Sequence, residues 1–284
     1  MIRVSILSEN TVDRDELDPE DGLSLFIETP DHKIMMDAGG SDTAIHNAEV
    51  MGASIYEADM AVLSHDHFDH GRGFISYYEE ARRIGAKLPM LYLSEQMIYE
   101  RHFADFGQGG LTSAGSGLSV QELERMQIPH RYIKGSVFYP FPEDKSICIL
   151  PSIEKTCQFE QDTPFLKVLR DGNLYTDSFA HEMCLALTIK DGLLLMTGCA
   201  HNGIVNMITT AERLLEKPVI GVIGGTHLKG FDEERTACTI HWLNGKPELR
   251  MLAVCHCTGD KALRRFAESC PAYRSVHAGT VLEI

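Results

Sequence analysis

The feature that most constrains this chain of 284 residues is a short cluster of histidines and aspartates. Three histidines and two aspartates fall within residues 65–70, directly after the apolar run 60–63. The apolar run predicts a buried β-strand, so the cluster lies where that strand ends. On a backbone that is still extended, His65 and His67 point to the same side. Imidazole and carboxylate groups in this arrangement suit a pair of borderline metal ions such as zinc, iron or manganese.

The pattern of apolar segments predicts a mixed α/β protein. The amino-terminal part predicts a meander of antiparallel strands, with apolar segments at 2–7, 22–30 and 32–40. Later segments alternate between strands and helices, and strand–loop–helix units fill the carboxyl-terminal part. No linker or low-complexity tract interrupts the chain, so we expect a single domain over 1–284. We expect a flexible insertion around 95–150, which contains the glycine-rich stretch 107–117.

Charge and composition limit the partners that this chain can have. Lys and Arg number 26 and Asp and Glu number 41, so the formal net charge is −15. A chain this acidic repels a phosphate backbone, which disfavours nucleic-acid binding. No apolar run reaches the roughly 18 residues that a membrane helix needs, and we expect no membrane contact. The first residues do not resemble a signal peptide, so we expect a cytoplasmic protein whose cysteines are thiols.

Further motifs accompany the histidine cluster, and together they resemble the metallo-β-lactamase superfamily. They are Met36-Asp37-Ala38-Gly39, His181-Glu182, Thr197-Gly198-Cys199-Ala200-His201, Gly224-Gly225-Thr226-His227-Leu228 and Cys255-His256-Cys257-Thr258-Gly259. The resemblance implies an α/β fold, a four-layer αββα sandwich, with a mononuclear or dinuclear metal site at one edge of two packed sheets. It also implies that Asp37 supports the metal-binding loop from behind.

Within the superfamily, the chain is similar to one branch of metal-dependent hydrolases. That branch is named for 7,8-dihydropterin-6-methyl-4-(β-ribofuranosyl)-aminobenzene 5′-phosphate synthase. The likeness runs through nearly the whole chain and includes Glu9-Asn10-Thr11, Gly22-Leu23-Ser24 and Asn47-Ala48. Because the superfamily hosts many reactions on one scaffold, the resemblance specifies the fold more sharply than the activity.

The resemblance implies two divalent metal ions per chain, with Zn²⁺ expected and iron or manganese as alternatives. Cys199 stands where the superfamily has a bridging carboxylate, and it could be a soft ligand or an inert buried thiol. His181 and His201 could bind metal directly or hydrogen-bond to a ligand, and a hairpin predicted over 185–196 brings its two ends to one side. The candidate ligands are His65, His67, Asp69, His70, His181, Cys199, His201 and His256.

Candidate catalytic and substrate-binding residues lie beside these ligands. Asp69 could also orient the nucleophile, and Asp66 could act as a base. His227 and Lys229 follow a glycine-rich turn before a predicted helix, and such a place suits an anion such as phosphate. Both are candidates for binding the substrate, and His227 could also donate a proton. A loop histidine packed on a neighbour is the alternative for His227.

Other patterns carry less weight. The pair Cys255 and Cys257 has no second cysteine pair at the spacing of a zinc knuckle, which disfavours a structural zinc site. No nucleophile elbow, P-loop or dinucleotide fingerprint is present. The histidines outside the motifs are expected at the surface or in the core, and they are His32, His46, His102, His130, His241 and His277.

These observations favour a metal-dependent hydrolase or related transferase that acts on a small anionic, phosphorylated molecule. One alternative is the condensation that the branch name describes, in which the metals would bind a diphosphate leaving group. Another alternative is a sensor that binds its ligand without turnover. A homo-oligomer is possible.

Overall fold

The computed structural model describes residues 1–107 and 110–284. The strands are β1 Arg3–Ser8, β2 Ser24–Glu28, β3 Lys33–Met36, β4 Met60–Val62, β5 Met90–Ser94, β6 Arg101–Ala104, β7 Thr112–Ser113, β8 His130–Ile133, β9 Ile147–Leu150, β10 Leu166–Arg170, β11 Asn173–Thr176, β12 Cys184–Ile189, β13 Gly192–Met196, β14 Val219–Gly224, β15 Met251–Val254 and β16 Val281–Glu283. The α-helices are α1 Thr43–Met51, α2 Phe68–Gly71, α3 Gly73–Arg83, α4 Val120–Arg125, α5 Ile204–Leu215, α6 Glu233–Asn244 and α7 Asp260–Ser269.

The chain divides into two compact units, and the first is built from three separate segments. These segments are 1–133, 164–177 and 277–284. Its larger sheet has the strand order β16-β1-β2-β3-β4-β5-β8, and a smaller sheet has the order β11-β10-β6-β7. The predicted meander is confirmed, since β1, β2 and β3 pair antiparallel.

Helix α3 shows why the first unit has a well-filled core. Phe74, Tyr77, Tyr78 and Ala81 recur at helical spacing and are buried on one face of α3. The two buried phenols do not leave their hydroxyl groups unsatisfied. Tyr77 donates a hydrogen bond to the Ile55 carbonyl at 3.0 Å, and Tyr78 donates to the Pro89 carbonyl at 2.9 Å. The large apolar area of these rings is therefore buried without an unpaired polar atom.

The second unit contains segments 134–163 and 178–276. Its sheet has the order β15-β14-β13-β12-β9, in which β12 and β13 form the predicted antiparallel hairpin. Strands β13, β14 and β15 run parallel, and α5, α6 and α7 each follow one of them along the chain. Parallel strands buried on both faces read as continuous apolar runs, which is what 193–196 and 251–254 are. The carboxyl ends of these three strands lie at the same edge of the sheet.

Most of the predicted helices and strands are present, whereas some short strands were not predicted. Two to four residues are too few to show an alternating pattern, and all of β11 is exposed. The unpredicted strands are β6, β7, β8, β11 and β16.

The predicted flexible insertion around 95–150 stays a prediction, as does the single domain. Within that range the structure contains β6, β7, α4, β8 and β9, and residues 108–109 of the predicted mobile loop lie outside the described residues. In the part of the chain that the structure describes, no helix has both the length and the apolar character needed to cross a bilayer.

Candidate metal centre

The histidine and aspartate cluster lies at the end of β4, as the sequence predicts. His67 still has an extended backbone, and α2 begins at the next residue. The ring centroid of His65 lies 4.7 Å from that of His67 and 4.2 Å from that of His70. Asp69 reaches the same place, with Oδ2 at 3.9 Å from His70 Nε2. The first unit therefore brings together three imidazoles and a carboxylate within a single loop.

A buried carboxylate holds this loop from behind. Asp37 follows β3 with a left-handed backbone (φ 57°) and is fully buried. Its carboxylate accepts hydrogen bonds from the Ser64 N–H, the Ser64 hydroxyl and His70 Nδ1, each at 2.7 Å. Because His70 Nδ1 carries the proton given to Asp37, His70 presents Nε2 as its lone-pair nitrogen. The structure thus agrees with the supporting position that the resemblance implies for Asp37.

The same argument applies to Ser64, which sets the orientation of His65. The Ser64 hydroxyl proton goes to Asp37, so its oxygen accepts a hydrogen bond from His65 Nδ1 at 2.9 Å. His65 then also presents Nε2 as its lone-pair nitrogen. Burial lowers the pKa of His67 to about 3, so its imidazole is neutral at pH 7. Neutral imidazoles with fixed tautomers are the form of histidine that binds a metal ion.

Asp66 points to different partners from those of its histidine neighbours. Its Oδ1 accepts hydrogen bonds from the Ser116 N–H, at 3.1 Å, and from the Ser116 hydroxyl. Its Oδ2 lies 3.6 Å from His102 Nε2, while His102 Nδ1 donates to Asp177 at 2.7 Å. Burial would lower the pKa of His102, but the hydrogen bond to Asp177 and the charge of Asp66 outweigh burial and raise it. Asp66 therefore faces an imidazole whose pKa is raised and that is itself held by a second buried carboxylate.

In the second unit, two cysteines and a histidine lie close together. The two sulfur atoms of Cys199 and Cys257 and a ring nitrogen of His227 lie within 4.8 Å of one another. The His227 N–H donates to Cys257 Sγ at 3.3 Å, and Cys257 Sγ donates to the Cys199 carbonyl at 3.4 Å. Burial would raise the pKa of the Cys257 thiol, but the proximity of Cys199, His227 and the His256 imidazole holds it well below its usual range.

His201 lies beside this group. Its ring stacks on Phe179, with centroids 3.8 Å apart, and its centroid is 4.0 Å from that of His227. The turn that carries His201 is held by Glu182, which accepts hydrogen bonds from the N–H groups of His201 and Asn202, each at 2.7 Å. Burial raises the pKa of the Glu182 carboxyl to about 7, although these hydrogen bonds lower it. The motif His181-Glu182 therefore contributes a buried carboxylate that positions the His201 turn.

The remaining predicted residues of the second unit have distinct environments. His181 is fully buried, and its ring centroid is 5.6 Å from that of Phe179. His256 is buried in a single turn of 3₁₀-helix after β15 and has a left-handed backbone (φ 54°). Lys229 is exposed, and its N–H donates to the Cys257 carbonyl at 3.1 Å. Which of these residues bind metal or substrate stays a prediction.

The helix predicted after the His227 loop is present, and α6 begins at Glu233. Asp232 caps it by accepting a hydrogen bond from the Arg235 N–H at 2.8 Å. With Asp232, Glu233 and Glu234 at its start, this helix terminus already has its negative charge. Its first turn therefore does not favour a phosphate, and an anion near His227 would depend on the loop before the helix.

Sequence reasoning missed several residues that surround the candidate site. Ser116, His102 and Asp177 belong to no motif and come from separate parts of the chain, so no local spacing connects them. The sequence pattern connects Cys257 only with Cys255, as a candidate zinc-knuckle pair. Its true neighbours are 30 and 58 residues earlier in the chain, at His227 and Cys199. The sequence signal that connects them is that Cys199, His227 and Cys257 each follow an apolar strand.

Comparison with known proteins shows that the chain has the metallo-β-lactamase fold. A metal-dependent hydrolase of the β-lactamase superfamily matches with a TM-score of 0.83 at 20% identity, over 100% of this chain and 99% of that one. Zinc-bound PqqB from Methylobacterium extorquens matches with a TM-score of 0.57 at 11% identity, over 99% of this chain and 100% of that one. No protein-family model matches the chain.

At the level of sequence, a curated relative is the 7,8-dihydropterin-6-methyl-4-(β-D-ribofuranosyl)-aminobenzene-5′-phosphate synthase of Methanocaldococcus jannaschii. It is 28% identical over 277 residues, which span 92% of this chain and 89% of the relative. The predicted resemblance to the superfamily and to this branch is confirmed, and so is the predicted fold class. On this fold the chain carries groups of histidine, aspartate and cysteine that could bind metal.

Proposed function

We propose that the chain is a metal-dependent enzyme, a hydrolase or a related transferase, that acts on a small anionic, phosphorylated molecule. The observation that carries the proposal is the buried Asp37 carboxylate, which fixes Ser64 and His70 behind the histidine loop. A merely solvated polar loop would not need a fully buried carboxylate with three charge-assisted hydrogen bonds. Such an arrangement is what ligating histidines require to keep their tautomer and orientation.

The donor set fits a divalent metal ion. The loop offers His65, His67 and His70 as imidazole donors and Asp69 as an oxygen donor. Nitrogen and carboxylate donors suit zinc, and also iron or manganese. An ion bound by this loop would supply Lewis-acid chemistry for hydrolysis or group transfer. That the further candidates His181, Cys199, His201 and His256 complete a two-ion site remains part of the proposal.

The chain's own residues would then bind and orient the substrate. Asp69, which is partly exposed, is the carboxylate best placed to hold a proton or orient a nucleophile within the loop. Both oxygens of Asp66 face Ser116 and His102, so we assign Asp66 to positioning rather than to proton transfer. Lys229 and His227 are the proposed contacts for the anionic group of the substrate.

The name of the curated relative favours a second candidate, a condensing synthase. In that reaction a bond forms between a dihydropterin methyl carbon and an aromatic amine nitrogen. The bond from that carbon to a diphosphate oxygen breaks, and the amine nitrogen loses a proton. The identity of 28% over most of both chains supports this candidate. The net charge of −15 supports a small-molecule substrate over nucleic acid in either reaction.

The test is turnover by metal-loaded protein on chromogenic phosphomonoesters, phosphodiesters and thioesters. We expect turnover of at least one of them, its loss with a chelator, and loss of both turnover and loop-bound metal in His67→Ala. His46→Ala is the matched control, because His46 is about half exposed and lies outside the cluster. Unchanged metal content in His67→Ala would contradict the proposed metal centre.

The synthase is tested separately. The protein is mixed with a dihydropterin methyl diphosphate and a ribofuranosyl-aminobenzene phosphate, and diphosphate release and the condensed product are measured by mass spectrometry. Product formation without hydrolysis of the chromogens selects the synthase. Metal binding without turnover in either assay would favour the sensor and reject both enzymatic candidates.

A further inference from the structure

One edge of the larger sheet in the first unit brings three loops around a single carboxylate. These are the loop between β1 and β2, the turn after β3 and the histidine loop after β4. They meet at one edge because β1 and β2 pair antiparallel, as do β2 and β3, while β3 and β4 run parallel. Glu20 lies in the first of these loops and is partly buried. All three loops belong to the first unit.

The Glu20 carboxylate is held by one of its two oxygens. Oε2 accepts hydrogen bonds from the Ser8 hydroxyl at 2.9 Å and from the Gly40 N–H at 3.1 Å. A side chain at position 39 is excluded, because its Cβ would overlap Oε2. Among the residues that the structure describes, no hydrogen bond reaches Oε1. Since an ionised carboxylate only accepts hydrogen bonds, Oε1 can accept a donor from a ligand.

Gly40 leaves a small space beside Oε1. A Cβ at position 40 would lie 3.6 Å from Glu20 Oε1, 3.7 Å from Phe68 Cδ2 and 3.5 Å from Asp69 Cα. We call the space bounded by these four residues the Gly40 cradle. It offers a ligand an acceptor oxygen, an aromatic ring and the backbone of the histidine loop. Because Asp69 is a candidate metal ligand, a molecule in the cradle would lie against the proposed metal centre.

Phe68 supplies the aromatic surface of the cradle. It is 44% exposed, although it stands between two candidate metal ligands in the chain. Its backbone is held on both sides, since its N–H donates to the Ala114 carbonyl at 2.9 Å and its carbonyl accepts the Arg72 N–H at 3.1 Å. An exposed aromatic ring on a fixed backbone can stack on a flat ligand with little loss of conformational entropy.

We propose that Glu20 and Phe68 bind a flat nitrogen heterocycle that carries N–H donors on its edge. Glu20 Oε1 accepts one of these N–H groups, and the Phe68 ring stacks on the face of the heterocycle. The amino-oxo-pyrimidine ring of a dihydropterin has such an edge, and this identification rests on the synthase proposed above. The ring is uncharged at pH 7, so the Glu20 carboxylate does not repel it as it would repel a phosphate.

The proposal makes Glu20 and Phe68 specificity-determining residues that take no part in bond making. A heterocycle without an N–H on its edge lacks the contact with Glu20. An acyclic amine lacks the face that stacks on Phe68. Only a ligand with both features satisfies the whole cradle.

Binding of 6-hydroxymethyl-7,8-dihydropterin tests the cradle, because this probe has no diphosphate and is not turned over. Its affinity for the intact chain, as purified, is measured by calorimetry. The wild-type protein should bind it, and Glu20→Gln should weaken binding by at least about 10-fold. The amide oxygen keeps the contacts with Ser8 and Gly40, but its NH₂ group then faces the donor of the ligand. Phe68→Leu should weaken binding by about 10-fold, because stacking is lost.

Gly40→Ala separates ligand binding from a structural role of Glu20. Gly40 does not have a left-handed backbone, and the added methyl group meets only contacts of 3.5–3.7 Å, so the fold tolerates it. The methyl group nevertheless occupies the cradle. We expect probe affinity to fall by at least about 10-fold, the effect of losing one such contact, while the urea denaturation midpoint stays the same.

Two matched variants and a second probe complete the test. Glu49→Gln removes the same charge from an exposed position in α1, and Tyr99→Leu removes another exposed aromatic ring of the first unit. Both should leave probe affinity unchanged. A probe whose 2-amino nitrogen is dimethylated should bind the wild-type protein at least about 10-fold more weakly, and this difference should shrink in Glu20→Gln. Circular dichroism checks that each variant is folded.

Two results would overturn the proposal. The first is the absence of probe binding by the wild-type protein. The second is equal probe affinity of the wild-type protein and a folded Gly40→Ala or Glu20→Gln variant. Either result is distinguishable from failure of the proposed function, which is measured by turnover and metal content. Turnover without probe binding rejects the cradle and keeps the enzyme, whereas probe binding without turnover keeps the cradle and rejects the enzyme.

Discussion

At the scale of single residues, the main finding is that buried carboxylates position the histidines. Asp37 orients His70, and Glu182 positions the turn that carries His201. Each carboxylate is fully buried and accepts hydrogen bonds from backbone N–H groups as well as from side chains. Burying a charge is tolerated only when it is satisfied in this way.

Asp37→Asn tests this arrangement. In place of Oδ2, the amide nitrogen that this substitution introduces would face the Ser64 hydroxyl and His70 Nδ1. In place of Oδ1, it would face the Ser64 N–H. All three groups are donors, so in either orientation a hydrogen bond that holds the histidine loop would be lost. We expect the affinity of the histidine loop for Zn²⁺ to fall by about 10- to 100-fold, measured by competition with a chromophoric chelator. Asp31→Asn, at an exposed turn, is the control. Equal affinities of the two variants would contradict the role of Asp37.

The pKa of His102 provides a second test at this scale. Its pKa in the folded protein is raised, so protonated His102 stabilises the fold below the unfolded value of 6.5, and this contribution is lost as the pH rises through the folded pKa. Asp177→Asn removes the hydrogen-bonded charge and should lower the pKa of His102. Imidazole NMR titration of metal-free protein measures it. A His102 pKa that is the same in Asp177→Asn as in the wild-type protein would show that Asp177 does not raise it.

At the scale of the secondary-structure elements, α5 shows how a distant loop completes a helix. Gly203 precedes α5 and has no side chain to cap it. Instead, the Glu160 carboxylate accepts hydrogen bonds from the N–H groups of Val205 and Asn206, each at 2.9 Å. A Cβ at position 203 would lie 2.0 Å from Glu160 Oε2, so the glycine makes room for this contact. A negative charge here also interacts favourably with the helix dipole.

We therefore expect Glu160→Ala to lower the free energy of unfolding by about 1–2 kcal/mol, the usual effect of losing a helix cap. Urea denaturation followed by circular dichroism measures the change. Glu154→Ala is the control, because the Glu154 side chain makes an exposed ion pair with Arg213 at 2.7 Å, and such pairs contribute little. A Glu160→Ala midpoint that matches this control would show that the contact does not stabilise α5.

At the scale of the whole molecule, the chain passes between its two units several times. The first unit contains three segments and the second contains two, so no single cut of the chain separates them. The last of these segments places β16 beside β1, with Leu282 opposite Val4. The two ends of the chain are therefore joined in one sheet of the first unit.

Limited proteolysis tests the predicted single domain. We expect the first cleavage within 107–117, and the nicked protein should remain one folded species in gel filtration. The reason is that β6, on the amino-terminal side of this stretch, pairs with β10, so both fragments contribute to the same sheet. Release of two separately stable fragments split near residue 145 would contradict the single domain.

Local pattern was enough to predict most of the fold and the histidine loop of this protein. Apolar periodicity is encoded over a few residues, and it predicts strands such as β4 and helices such as α3. The histidine cluster could be recognised because its members are contiguous in sequence.

The tertiary structure alone decided which distant residues meet. Asp177 contacts His102 from 75 residues away, and Cys199, His227 and Cys257 converge because β13, β14 and β15 are neighbours. Neither strand order nor a left-handed backbone at His227 is encoded in local hydrophobic spacing. Both result from the packing of the complete chain. Local sequence pattern therefore predicts the helices and strands, whereas packing determines which side chains meet at the candidate site.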